Sequence, residues 1–218
     1  MAKRAMTDEA KAVKANLILD QAAECFLSMD YERIKMADLA KMTGLSNGTL
    51  FVYFKSKETL FLCLLWREYE KRMDYLEDWS GKKSISCFED VKRLFLEELE
   101  YLIDNDPLYI KLESMRSAVL ERNTDIETLF QMKKRLFGRL ETWSQRLSQS
   151  GILSQRQLID IFIMESAIIT GCKLVASIPC GVGERMDDIG AIGMRRDFKD
   201  DVLLCVRCYL DGYGQRLE

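Results

Sequence analysis

The chain has 218 residues, 48% of them hydrophobic, and a formal net charge of −3, enough apolar material for a sizeable core, which excludes global disorder. It contains no histidine, and that removes Ser-His-Asp and Cys-His catalysis, histidine-dependent zinc sites and histidine pH switching. With two prolines and seven cysteines that lack a scaffold-like spacing, it reads as a mostly helical protein carrying reduced thiols.

The N-terminus, MAKRAMTDEAKAVK, has no apolar signal region, and the most apolar stretch, residues 158–178, is broken by Asp160, Glu165 and Lys173. Both features predict a cytoplasmic chain without a membrane span. Periodicity and cap residues predict an all-α protein with helices near 10–29, 36–43, 46–53, 56–79, 86–104, 107–121, 125–149, 155–177 and 198–215, and no strand or internal repeat.

The second and third of these helices carry the clearest signal. Leu39 and Ala40 open an apolar face, and Gly44 stands where a tight turn needs a positive φ. Leu45 follows as a buried plug, and Ser46 caps the next helix. Leu50 and Phe54 form its inward stripe, which leaves Asn47, Gly48, Thr49, Phe51, Val52 and Tyr53 on other faces. Ser56 then caps a further helix with Lys57 in its first turn. This is the pattern of a helix-turn-helix whose second helix enters a DNA major groove.

The stretch DLAKMTGLSNGTLFVYFKSKETLF resembles the DNA-binding domain of the tetracycline-repressor (TetR) family of bacterial transcription regulators. The resemblance rests on Asp38-Leu39-Ala40, Thr43-Gly44-Leu45-Ser46, Gly48-Thr49-Leu50, Tyr53-Phe54 and Lys57-Glu58, and upstream on residues 18–23 with Phe26. It implies an N-terminal three-helix domain over residues 11–71, a C-terminal helical ligand-binding and dimerisation bundle over residues 72–218, and a homodimer on a double-stranded operator. Two departures stand out. Phe51 replaces a tyrosine whose hydroxyl contacts phosphate in the family, and Lys35 stands where the family has a capping Thr or Ser.

Net charge near neutrality suits a DNA binder only if placement compensates. Lys35, Lys41, Lys55 and Lys57 flank the two short helices, where phosphates would lie. Base reading then falls to Asn47, Thr49, Val52 and Tyr53. Residues 46–54 contain no arginine, lysine or glutamine, so an operator core rich in A·T is expected, with Lys3 and Arg4 of the N-terminal arm adding affinity.

Farther along, capping boxes are predicted at Ser86–Glu89, Thr124–Glu127 and Ser154–Gln157, with Asp106 and Asp197 as further N-caps. Phe88, Phe95, Tyr109, Met115, Phe130 and Phe137 are candidate linings of an effector cavity, although ordinary core is the commoner role for any one of them. The helix at 155–177 is apolar almost all round, so a partner subunit is expected to cover part of it. Phe162, Ser166, Ile168, Ile169, Cys172, Val202, Cys205 and Tyr209 are the candidate dimer contacts. The four glycines of residues 177–196 mark a loop, with a short helix near 186–189.

The leading reading is a repressor released from a near-palindromic operator by a small-molecule effector, with no cofactor or metal. A thiol-responsive regulator using Cys172, Cys180, Cys205 and Cys208 is the alternative. A helical enzyme finds no histidine, metal cluster or nucleotide loop to support it.

Overall fold

The structure, a computed structural model, describes residues 8–177, 182, 185, 188, 189 and 195–216. Lys3, Arg4, Cys180 and most of the 177–196 segment lie outside the described residues. Among these there are nine α-helices and no strand: α1 (Asp8–Ser28), α2 (Met36–Met42), α3 (Asn47–Tyr53), α4 (Lys57–Lys82), α5 (Phe88–Asn105), α6 (Pro107–Met115), α7 (Ile126–Ser148), α8 (Gln155–Ala176) and α9 (Phe198–Gly214). No helix of the described residues is long and apolar enough to cross a membrane. The chain divides into two compact units, one of Met1–Glu68 with Arg116–Met132, the other of Tyr69–Met115 with Lys133–Glu218.

Several helix starts follow the expected caps. The Ser154 hydroxyl accepts from the Gln157 amide at 3.3 Å while the Gln157 side chain accepts from the Ser154 amide at 2.8 Å. Asp106 accepts from the Tyr109 amide at 2.9 Å, and Asp197 from the Asp200 amide at 2.9 Å. Two predicted boxes move by one residue. At α5 the cap is Cys87, and Asp90, not Glu89, accepts from the Ser86 and Cys87 amides at 2.8 and 3.2 Å. At α7 the Thr124 hydroxyl turns back to the Leu120 carbonyl, and Asp125 caps the Thr128 amide at 3.1 Å. The helix predicted over 107–121 ends at Met115. A π turn, Arg116–Leu120, and a 3₁₀ turn, Glu121–Asn123, follow it, and Arg116 meets Glu121 at 3.0 Å across the five-residue spacing of the wider turn.

The second unit is built around a charge. Tyr69, Met73 and Leu76 of α4, Leu94, Phe95 and Leu99 of α5, Leu112 of α6, Trp143 of α7, and Ile161, Phe162 and Ile169 of α8 are buried. In their midst the Arg72 side chain is fully buried. Its guanidinium donates to both Glu98 oxygens at 2.7 and 3.0 Å, to the Tyr109 hydroxyl at 2.7 Å and to Glu165 Oε2. Beside it the Tyr69 hydroxyl donates to the buried Glu113 at 2.6 Å. Burial, reinforced by the Glu98 charge and only partly offset by Arg72, pushes the Glu165 carboxyl up to about 8. Glu165 Oε1 accepts no hydrogen bond, so nothing stabilises a charge on that oxygen. Burial raises the Glu98 carboxyl as well, so at neutral pH the two carboxyls share one proton, mainly on Glu165, and these two groups and Arg72 together carry no net charge.

This proton makes stability pH-dependent with a definite sign. The folded state holds it up to about pH 8, whereas an unfolded glutamate releases it near pH ~4.3. Between those values the native state binds the extra proton. Stability is therefore fully supported below the unfolded value and declines as pH rises through the folded one, by up to ~1.4 kcal/mol per pH unit from this group. Urea unfolding of wild type from pH 5.5 to 8 will show this decline, and Glu165→Gln will flatten it. Arg72→Ala, which strands two buried carboxyls, will cost about 3–5 kcal/mol.

Candidate nucleic-acid interface

Within the first unit, α1 buries Ile18, Leu19, Ala22, Cys25 and Phe26 at helical spacing. Phe26, Tyr31 and Phe61 form an aromatic cluster, with Phe61 5.2 Å from each of the other two ring centroids. Against it sit Leu39 and Ala40 of α2 and Leu50 and Phe54 at α3, all buried. The α2–α3 turn closes through local bonds. The Thr43 hydroxyl donates to the Leu39 carbonyl at 2.9 Å, the Leu45 amide donates to Ala40 at 2.8 Å, and Gly44 takes φ 66°. A residue with a Cβ resists that conformation, which is the requirement for glycine here. Leu45 is half-buried rather than the fully buried plug expected of it. Ser46 then accepts from the Thr49 amide at 3.1 Å and caps α3, and Ser56 accepts from the Thr59 amide at 3.0 Å and caps α4.

The result is a short helix that shows most of its surface. Asn47, Gly48, Thr49, Phe51 and Val52 are exposed, Val52 at 82%, and Tyr53 is half-buried. The Thr49 hydroxyl lies 2.8 Å from that of Ser46, which leaves its methyl as the more available group. No acidic or basic residue lies in α3. Lys35, the N-cap of α2, makes no side-chain capping bond and is exposed. Lys41 lies 4.0 Å from Asp38, and Lys55 lies 3.6 Å from Asp125.

Lys57 departs from expectation. Its ammonium donates to the Tyr31 and Ile34 carbonyls at 2.9 and 3.2 Å and lies 3.9 Å over the Tyr31 ring. The adjacent Glu58 accepts from the Tyr31 hydroxyl at 3.1 Å. In this structure Lys57 is held inside the unit, where it ties residues 31–34 to the start of α4.

A family model described as bacterial regulatory proteins, tetR family, matches residues 18–64, and a second, the tetracyclin repressor-like C-terminal domain, matches residues 67–216. The chain belongs to the TetR family of bacterial regulatory proteins. This TetR-family transcriptional regulator is 26% identical over 116 residues to the uncharacterized HTH-type transcriptional regulator YhgD of Bacillus subtilis, a stretch covering 53% of this chain and 56% of that one. Two solved structures share the fold. The fatty acid degradation regulator FadR from Bacillus halodurans superposes with TM-score 0.56 at 16% identity over 90% of this chain and 94% of its own. FadR from Bacillus subtilis in complex with stearoyl-CoA superposes with TM-score 0.51 at 17% identity over 89% and 96%.

Of the six candidate lining residues of this TetR-family regulator, Phe130 belongs to the first unit, and the other five, in the second, make separate contacts. Phe88 stacks on Tyr213 at 6.4 Å, Phe95 is buried edge-on to Trp143 at 6.1 Å, and Tyr109 is committed to Arg72. Met115 is half-buried. Phe130 and Phe137, at 59% and 49% exposure, lie on an open flank of α7 whose buried stripe runs through Leu140, Trp143 and Leu147. Of the candidate dimer contacts, Phe162, Ser166, Ile169 and Val202 are buried within the chain itself. Ile168, Cys172 and Tyr209 are half-buried, and Cys205 is exposed. Apolar periodicity could not separate the face turned to the chain's own core from the face left outside.

Because its donors are spent on two backbone carbonyls, Lys57→Met will lower stability by about 1–2 kcal/mol. It will leave the salt slope of DNA binding unchanged. Urea denaturation and affinity measured against salt concentration check both halves.

Proposed function

We propose that this regulator is a homodimeric repressor, with residues 11–71 reading a near-palindromic operator and residues 72–218 carrying dimerisation and a small-molecule effector. The observation that carries the DNA reading is the exposed, uncharged surface of α3, set by the Gly44 turn and the Ser46 cap. Lacking Arg and Lys, this helix cannot make the bidentate contact to guanine. Asn47 offers an amide suited to adenine, and Thr49 and Val52 offer methyls suited to thymine, so the docked bases are rich in A·T. Exposed Lys35 acts on phosphate. An effector is supported by family membership and by likeness in fold to a regulator solved with stearoyl-CoA.

Dimerisation is supported by the outer face of α8. Ile163, Met164, Ala167, Gly171, Leu174 and Val175 recur at helical spacing and are exposed, beside Leu204 of α9 at 58% exposure. A second copy about a twofold axis covers that face and supplies the second α3 for a twofold site. The thiol-responsive alternative has less behind it. Burial pushes the Cys63 thiol up to about 12, and burial with neighbouring Cys205 pushes Cys172 up to about 11, away from the thiolate that reacts. A cytoplasmic location follows from action on DNA.

Binding-site selection from a random pool will return a near-palindromic, A·T-rich motif. Asn47→Ala will lose ~10- to 100-fold on it and little on random DNA, whereas Lys35→Ala will weaken all sequences alike and reduce the salt slope by about one per contact. Recovery of an identical motif with Asn47→Ala would remove that residue from the readers. Leu174→Arg will yield monomers by sedimentation with native circular dichroism, and an unaltered dimer would count against the outer face of α8.

A further inference from the structure

The seam between α4 and α7 in the second unit holds two adjoining cavities, of about 230 and 400 Å³, and they share Glu77 and Arg146 as lining residues. The smaller is lined by Ile85, Trp143 and Leu147 together with Ser80, Lys83 and Ser150. The larger is rimmed by charge. We infer that this cleft binds a small organic monoanion, an aryl or branched alkyl carboxylate, with its charge on Arg146 and its apolar body in the smaller cavity.

The charges around the cleft single out Arg146. Arg139 is saturated: Glu70, Asp74 and Glu77 hold it at 2.6, 2.9 and 2.9 Å. Lys83 is taken by Glu97 at 2.8 Å and lies over the Trp79 ring at 4.2 Å. Arg146 is 60% exposed, and its nearest carboxylate, Glu77, stands 3.7 Å away, beyond hydrogen-bonding reach. At the junction of the two cavities it therefore presents a planar fork of donors of the kind that a carboxylate meets with two parallel bonds. Arg135 lines the larger cavity alone and lies 3.8 Å from Glu70, so Arg146 is the guanidinium common to both cavities, and Glu77 alongside it disfavours a dianion.

Two glycines add an independent observation. Gly81 of α4 lines the smaller cavity and Gly138 of α7 the larger. Neither has a positive φ, and a Cβ at either would meet no atom within 4 Å. Neither backbone geometry nor close packing requires glycine there, and a helix prefers almost any other residue. Their effect is open space, one in each half of the cleft. Ile85, Trp143 and Leu147 give the smaller cavity an apolar side, and the larger is lined by charged and polar groups apart from Gly138, a division suited to a ligand with an apolar body and a charged head.

The inference deepens the effector reading and rests on it for any link to DNA. The test uses the full-length protein with benzoate, 2-naphthoate and 2-ethylhexanoate, each beside its primary amide, by calorimetry. At least one acid is expected to bind ~10-fold or more tightly than its amide, the size of one charge-assisted contact. Arg146→Gln will erase that preference, Arg146→Lys will keep part of it, and Gly81→Leu will remove binding of acid and amide together while leaving circular dichroism native. Should Gly81→Leu fold poorly, Ser150→Leu, at an exposed residue lining the same smaller cavity, tests it in the same way. No acid-over-amide preference in the wild type, or a preference that survives in Arg146→Gln, overturns the inference. Affinity for the selected operator, measured alongside, keeps the two readings apart: a saturated cleft with unchanged operator affinity defeats the effector reading and leaves the cleft site standing.

Discussion

One guanidinium organises the second unit. Arg72 of α4 joins Glu98 of α5, Tyr109 of α6 and Glu165 of α8, four helices that apolar packing alone could bring together in many registers. A buried ion tolerates few of them, because each donor left without an acceptor costs a large part of its desolvation energy. The Arg72–Glu98 pair and the proton on Glu165 settle the charge. The ordinary hydrophobic layers, Phe95 against Trp143 or Tyr69 against Phe162, then pack around a fixed centre.

The first unit solves a different problem with different means. Its short helices bury few side chains each; in α3 only Leu50 is buried. Helices of this length are marginal alone, so local bonds carry much of the definition: the Thr43 and Gly44 turn, the Ser46 and Ser56 caps, and Lys57 on two carbonyls. With so little of α3 spent on its own core, nearly all of it remains for display. An exposed Val52 is a weakness in a surface helix and an asset in a reading helix.

The same division between inward and outward faces governs α8. Leu158, Ile161, Phe162, Glu165 and Ile169 turn in, and Ile163, Met164, Leu174 and Val175 turn out. Both sets are mostly apolar, which is why the helix reads as hydrophobic all round. Along the α4–α7 seam the outward surface is ionic instead, and there the glycines leave room that side chains would have filled.

The sequence by itself determined the helical content, the position of nearly every helix, the Gly44 turn, most of the caps and the family, because these depend on interactions within a few residues of one another. It also separated the inward Leu50 and Phe54 from the outward Asn47 and Val52, since one short helix facing one core leaves a single solution. Only the tertiary structure decided which apolar face of α8 is core, that Lys57 is spent internally, that Phe130 and Phe137 are exposed, and that Glu98 and Glu165 share one arginine. Those outcomes pair residues tens of positions apart, and hydrophobic periodicity records that a face is apolar without recording what lies against it.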